Sequence, residues 1–530
     1  MSEKTKGKLS LVGLALMIFT SVYGFNNIPR AFYMMGYGAI PWYLIGALGF
    51  FLPFAFMVTE LGSAFKEEKG GIYSWMEKAV GPTFAFVGTL MWYLSYLVWM
   101  VNISSGIMAP LGAAIFGNAS VINSLPPYVM SLIGVGVITL VTLSASFGMK
   151  AISKVSAVGG IAVLSLNAIL LIGAIIVLIA NGGHAATTLD LHALTTSANP
   201  TFDNTSIIGF FAFIVFAIFA YGGVEAVGGL VDETENPKKN FPKGVLISAV
   251  IIAIGYSLMI LMVGIFMNYQ THGEFWEGVK ASKYNFGNAS YVIMDNLGQS
   301  LGRAFGANAS GIKFAGEAMQ HFMGLAIFLS LLGAFFTLIY SPAKQIISGT
   351  PDKLWPGKLG HIDEKTGMPR NLMTAQWAVV VIIILAVMLV NLGGTAGQKA
   401  TGIFFTILTN MTNVAMTLPY MLITYAFFKF KFNDKINKPF TIYSKPMAVV
   451  ATVASLLVVG FADVFTILQP LIQPDSVAGT GLNPIISFLT MILGPIIFAA
   501  VAIIMMQIYK ANNPEEYAAL SELSASETED

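Results

Sequence analysis

The chain contains no cysteine, 5 histidines and only 10% charged residues in a length of 530. Without cysteine there can be no disulfide, no thiolate-ligated zinc and no thiol nucleophile. Soluble domains carry roughly 25% charged residues, so a chain this poor in charge must place most of its length in lipid or against other apolar helices. No segment remains for a sizeable soluble domain. The net charge is +1 and the basic clusters are short, which leaves no electrostatic footprint for nucleic acid. A His-Glu-x-x-His helix and a nucleophile–base pair are both missing, which argues against an intramembrane enzyme. His321 belongs to no cluster of His, Glu and Asp large enough to hold a metal, so neither a metal site nor another cofactor is expected. A pore-loop filter and rings of like residues, the marks of a channel, are missing too.

What fills the chain instead is apolar sequence, 56% of it hydrophobic. Runs of about 20 residues, enough to cross the hydrocarbon core, recur along nearly the whole length. They predict an all-α integral membrane protein of about twelve crossings, near 9–37, 39–61, 82–116, 126–148, 153–182, 205–231, 244–268, 318–350, 372–394, 399–428, 445–470 and 484–509. Most of the 28 Lys and Arg then fall in loops on one side, among them Lys66, Lys69, Lys78, Lys238, Lys239, Lys243, Lys429, Lys435 and Lys438. The positive-inside rule puts that side, and both termini, in the cytoplasm. The opening MSEKTKGK enters an apolar segment without a small-residue cleavage site, so the first helix is expected to stay in the mature protein. The longest outer connection, about 269–317, is expected to hold a short helix over the outer face. The acidic tail, 512–530, reads as disordered cytoplasm after a single transmembrane domain, 1–511.

Two crossings are interrupted alike. The first contains Tyr23-Gly24-Phe25-Asn26-Asn27 and Pro29; the sixth contains Tyr221-Gly222-Gly223-Val224-Glu225. Broken helices leave backbone groups unpaired, which lipid cannot satisfy and a solvated cavity can. Breaks in segments one and six also fit a LeuT-type five-plus-five inverted repeat, each being the first helix of its half. Repeat one would run over about 9–182 and repeat two over about 205–428, with two C-terminal helices over about 445–509. The other reading is that the glycines only allow close helix packing.

The stretch FAIFAYGGVEAVGGLVDETENPKKNFPKG resembles the signature of the amino acid-polyamine-organocation transporter superfamily. TELGSAFKEEKGGIYSWMEKAVGP resembles that superfamily's first intracellular loop, with its Gly-Gly-x-Tyr and Gly-Pro. Within it the chain is most similar to glutamate/GABA-antiporter-type permeases, particularly the YjeM-like branch. That likeness rests on Glu67-Glu68-x-Gly-Gly, Tyr221-x-Gly-Val-Glu225, and Ile339-Tyr340-Ser341-Pro342 with Trp355-Pro356 and Met368-Pro369. The resemblance implies a bacterial inner-membrane carrier of amino acids that works by alternating access around a site at the two breaks. The amides of Gly24, Phe25, Asn26 and Asn27, at the positive end of a half-helix, would bind an α-carboxylate. Carbonyls near Ala220, Tyr221, Gly222 and Gly223 would accept from an α-ammonium. Family members often have Gly-Ser-Gly-Ile-Phe at the first break, where this chain has Gly24-Phe25-Asn26-Asn27-Ile28.

Several polar groups in apolar segments call for an explanation. Glu225, which matches the family glutamate, reads as a gate or proton-coupling group, with structural hydrogen bonding as the alternative. Lys154 starts the fifth helix and resembles a lysine that in proton-coupled relatives replaces sodium; the plain alternative is a positive-inside lysine beside Lys150. Thr337 and Ser341 offer oxygens to sodium instead. Arg30 would meet an acidic substrate, pair with a carboxylate, or reach the outer interface. Tyr340 and Ser341, Asn410 and Asn413 of the tenth segment, and Tyr96 within Trp92, Tyr93, Tyr96 and Trp99 are expected at the cavity or a gate. Glu60 reads as a helix-to-helix hydrogen bond. Three functions are compatible with these features: a proton-linked permease, an exchanger of an amino acid for an amine or another amino acid, and a non-transporting sensor on the same fold.

Overall fold

In the computed structural model the chain folds into helices, with two isolated backbone bridges and no sheet among the described residues, which are 8–117, 125–195, 199, 207–269, 274–281, 283–477 and 480–525. Ten segments are long and apolar enough to cross a membrane. The first of these, Leu11–Ala64, turns at Gly36–Gly38 and so contains the first two expected crossings. Gly394–Phe432, at the tenth expected crossing, is one helix of 39 residues outside those ten. Its threonines, asparagines and Lys399, Lys429 and Lys431 dilute its apolar content. Helices therefore stand at all twelve expected positions. Residues 205–206 of the sixth, 270–273 and 282 of the outer connection, 1–7 and 526–530 lie outside the described residues.

The chain is pinned where its first helix begins. The Leu9 amide donates to the Glu233 carbonyl at 2.7 Å, and the Glu235 amide donates to the Leu9 carbonyl at 2.8 Å. Ser10 then caps Leu11–Val22, its side chain accepting from the Gly13 amide at 3.1 Å. This short parallel pairing ties the start of the first helix to the exit of the sixth, bringing the two broken segments together from one end.

Four local features differ from the sequence reading. The third segment is two helices, Pro82–Gly106 and Met108–Phe116. The eighth, Ala309–Gly349, begins well before its apolar part, capped by Asn308, which accepts from the Gly311 amide. Its polar start packs against Ala289–Ala304, which shares the outer connection with Glu274–Lys280, so that connection holds two helices rather than one. The tail is also helical over Pro514–Ala525. Tyr517 hydrogen-bonds Thr83 at 3.0 Å and Glu516 pairs with Lys353 at 2.8 Å, so this stretch has a surface to order against.

Glu60 is fully buried and forms an ion pair with Lys431 at 2.7 Å, while its other oxygen accepts from the amides of Ile442 and Tyr443, each at 2.7 Å. It joins the second helix to the end of the tenth. An ionised carboxylate in such a place needs its remaining hydrogen-bonding positions filled, which the two amides do here.

Candidate functional site

The first crossing is helical over Leu11–Val22, opens at Tyr23–Asn26 and resumes over Asn27–Met35. The sixth is helical over Ile207–Phe219, opens at Ala220–Gly223 and continues as a tighter 3-10 turn over Val224–Leu230. Gly223 makes this possible. Its φ of 114° is one that side-chain-bearing residues rarely adopt, and a Cβ there would lie 2.6 Å from the Ser21 carbonyl oxygen. The sixth helix thus opens directly against the last turn of the first.

Tyr256, on the helix Pro237–Phe266, links the two openings. Its hydroxyl accepts from the Gly24 amide at 3.0 Å and donates to the Ala220 carbonyl at 3.0 Å. Its ring stacks on Tyr23 and stands edge-on to Tyr221, with centroids 4.6 and 5.1 Å away. Tyr23 in turn donates to Asn167 at 2.8 Å, and Tyr221 donates to the Tyr43 carbonyl at 3.1 Å. Buried hydroxyls and unpaired backbone groups thereby satisfy one another across five crossings.

Between the openings lies a cavity of about 400 Å³. Gly24 and Asn27 form one wall and Ala220, Gly222 and Gly223 another, with Tyr96, Trp99, Ser330, Asn413, Thr417 and Tyr420 among the rest. None of its lining residues carries a charge. Phe25, Asn26 and Tyr221 belong to the openings but do not line the cavity, because Phe25 and Tyr221 turn into the packed core.

Glu225 sits just behind the wall, fully buried. One carboxylate oxygen accepts from Trp92 Nε1 at 3.0 Å and from the Tyr96 hydroxyl at 3.1 Å; the other accepts from the Gly223 amide at 3.1 Å. Tyr420 also accepts from the Gly223 amide, at 3.2 Å. A single carboxylate thus fastens the sixth-helix opening to the third helix, through a tyrosine that itself lines the cavity.

Beyond the 3-10 turn a polar clasp closes onto the eighth helix. Ser341 donates to the Ala226 carbonyl, and Gln345 accepts from the Ile72 amide at 2.8 Å. Lys344, buried, meets Asp232 at 2.6 Å, Glu233 at 2.9 Å and the Gly229 carbonyl at 3.1 Å, while Tyr340 reaches Glu233 at 3.4 Å. Burial pushes the Asp232 carboxyl up, against the pull of the Lys344 ammonium. Tyr340 and Ser341 therefore belong to this clasp and not to the cavity.

The other expected residues lie elsewhere. Lys154 is exposed on its helix; it is Ser156, two residues on, that meets Thr337, at 2.9 Å. Arg30 stacks over Phe286 at 4.7 Å. Asn410 donates to Thr490 at 3.3 Å, and Asn413, one turn away, takes the cavity position. Sequence reasoning passed over Tyr256, Tyr420 and Lys344. Lys344 was open to detection as a lone cation near the end of an apolar run, whereas the two tyrosines look like ordinary aromatic helix residues.

Fold and site together define a multi-pass membrane protein with a solute-sized cavity between two interrupted helices. The family model described as "Amino acid permease" matches residues 9–498. The chain belongs to this family and is a membrane transporter, not an enzyme. It is 44% identical over 510 residues to the inner membrane transporter YjeM of Salmonella typhimurium, covering 95% of this chain and 97% of the relative. It is 24% identical over 422 residues to the aspartate/glutamate permease AcaP of Lactococcus lactis subsp. cremoris, 79% of each chain. A glutamate/gamma-aminobutyrate antiporter from the same organism is 27% identical over 248 residues, 47% of each chain.

Proposed function

We propose that this protein is a secondary active permease for amino acids with neutral side chains, linked to protons and working by alternating access in a bacterial inner membrane. The observation that carries the substrate class is the cavity wall, which combines backbone openings with uncharged side chains. A zwitterion needs a carboxylate site and an ammonium site. The positive end of the half-helix that starts at Asn27 supplies the first, and the carbonyls at Ala220–Gly223 supply the second. An acidic or basic side chain would enter the cavity without a counter-charge, at a large desolvation cost. The substrates named for the aspartate/glutamate permease and the glutamate/gamma-aminobutyrate antiporter are therefore not carried over.

Alternating access is supported by the two polar fastenings that follow the sixth-helix opening, Glu225 with Trp92 and Tyr96, and Lys344 with Asp232 and Glu233. Each joins elements that must separate if the cavity is to change sides. The transport domain comprises 1–511, with repeats near 9–182 and 205–428 and terminal helices near 445–509; the basic loops favour cytoplasmic termini. Exchange is the second reading, favoured by the antiporter relative.

Uptake of a labelled amino acid panel into proteoliposomes, with and without a proton gradient, sodium or internal unlabelled substrate, tests this reading. Gradient-driven accumulation of neutral amino acids is expected. Uptake that requires internal substrate would make the protein an exchanger. No flux of any amino acid through folded protein would contradict the reading and leave a sensor.

A further inference from the structure

The eleventh helix, Lys445–Ile472, contains one acidic residue, Asp463, in the apolar context Phe461-Ala462-Asp463-Val464-Phe465. Asp463 is 4% exposed. One carboxyl oxygen contacts the Thr417 hydroxyl; the other is enclosed with no hydrogen-bond partner among the described residues. Thr417 is on the tenth helix, and it lines the central cavity. Asp463 therefore lies one side chain away from the transported solute, yet outside the cavity wall.

The protons around Thr417 determine the state of this carboxyl. Its hydroxyl also approaches the carbonyls of Val414 at 3.1 Å and Asn413 at 3.3 Å, but it has a single proton to donate. If that proton goes to a carbonyl of its own helix, the contact with Asp463 needs a second proton, held by the carboxyl. A neutral carboxyl fits its surroundings, since an ionised one would leave a bare charged oxygen in an apolar enclosure.

Among the described residues, the neighbouring elements supply no cation at this level. Ile207–Phe219 and Ala47–Phe51 have no titratable side chain. Leu52–Ala64 offers Glu60, already paired with Lys431. Tyr509 and Lys510 stand at the far end of Pro484–Asn512, and Asp475 lies beyond the helix end. On the tenth helix, Lys399, Tyr425, Lys429 and Lys431 are two to five turns from Thr417, about 12–27 Å along the axis. Lys445, at the start of Asp463's own helix, is also about 27 Å away. Among the described residues, Tyr420, about one turn from Thr417 on the tenth helix, is the nearest titratable group on that helix, and its hydroxyl accepts from the Gly223 amide at 3.2 Å.

We propose that Asp463 is the proton-binding site of the transport cycle. When the cavity faces the proton-rich side, a hydronium in cavity water gives a proton to Thr417 Oγ1 as Thr417 passes its own hydroxyl proton to the carboxylate, leaving water and a neutral carboxyl; the reverse exchange returns the proton to water on the other side. Thr417 makes the link to substrate, since it touches both the proton site and the cavity. This assignment rests on the proton-linked reading above.

The test uses full-length protein in proteoliposomes. With one proton per substrate, a gradient of about one pH unit supports about tenfold accumulation in the wild type. Asp463→Asn should abolish that accumulation and flatten the pH dependence of uptake, while slowing counterflow much less. Infrared difference spectra across the pH range should show a protonated-carboxyl band in the wild type that the variant lacks. Undiminished gradient-driven accumulation by Asp463→Asn would overturn the assignment and leave proton linkage standing. A wild type indifferent to the gradient would overturn both. If Asp463→Asn also loses counterflow, Asp463→Glu decides: a moved pH midpoint supports the assignment and an unmoved one overturns it.

Discussion

The hydroxyl of Tyr256 serves both helix breaks at once, satisfying the Gly24 amide and the Ala220 carbonyl with one oxygen. Tyr256→Phe leaves both backbone groups unpaired and should cost about 1–3 kcal/mol, visible as a lower melting temperature of the solubilised protein. An unchanged melting temperature would show that the hydroxyl is not what holds the breaks together. Gly223 is equally constrained. Gly223→Ala forces a left-handed backbone that costs about 1–2 kcal/mol in a residue with a Cβ, and adds a clash with the Ser21 carbonyl. It should abolish uptake while leaving the protein in the membrane, as followed by flux and by expression. At this scale the sequence revealed positions better than partners. Gly24, Asn27, Ala220, Gly222, Gly223 and Tyr96, picked out by the breaks and the third-helix aromatics, line the cavity. Tyr256 was not legible, because its role comes from meeting residues 232 and 36 positions earlier in the chain.

Between elements, two buried ionic joints act at different places. Glu60 and Lys431 connect the second and tenth helices. Glu60→Ala strands the ammonium and should destabilise the fold by about 3–5 kcal/mol, measured by thermal unfolding, with much of the loss recovered in Glu60→Met with Lys431→Met. Recovery failing in the double variant would mean that the amides of Ile442 and Tyr443 carry the effect instead. Lys344 connects the sixth-helix exit to the eighth helix. Because burial raises the Asp232 carboxyl above the usual range, acid neutralises it sooner than a free aspartate, and the clasp should loosen as pH falls. Asp232→Asn should mimic that loosening at neutral pH, raising hydrogen exchange at Val224–Leu230. Equal exchange in both proteins would remove the clasp from the account. Helix positions were readable from apolar run length, but the start of Ala309–Gly349 and the tail helix were not. Both depend on a tertiary surface, Ala289–Ala304 in one case and Thr83 with Lys353 in the other.

Across the whole molecule, two interrupted helices meet around an uncharged cavity, with Glu225 behind one wall and Asp463 behind another. On the proposed function, this arrangement would separate solute recognition, carried largely by backbone groups, from charge handling, carried by side chains outside the cavity. Such separation would let a permease accept varied neutral side chains while keeping one coupling ion. The natural lack of cysteine makes the location of the solute directly measurable. A single cysteine introduced by Ser330→Cys, on the cavity wall, can be labelled with a maleimide in the reconstituted protein. A transported neutral amino acid should slow that labelling in proportion to its occupancy, and acidic or basic amino acids should not. Labelling that is unaffected at saturating substrate, in a variant that still transports, would contradict the central claim that the solute sits between the two breaks.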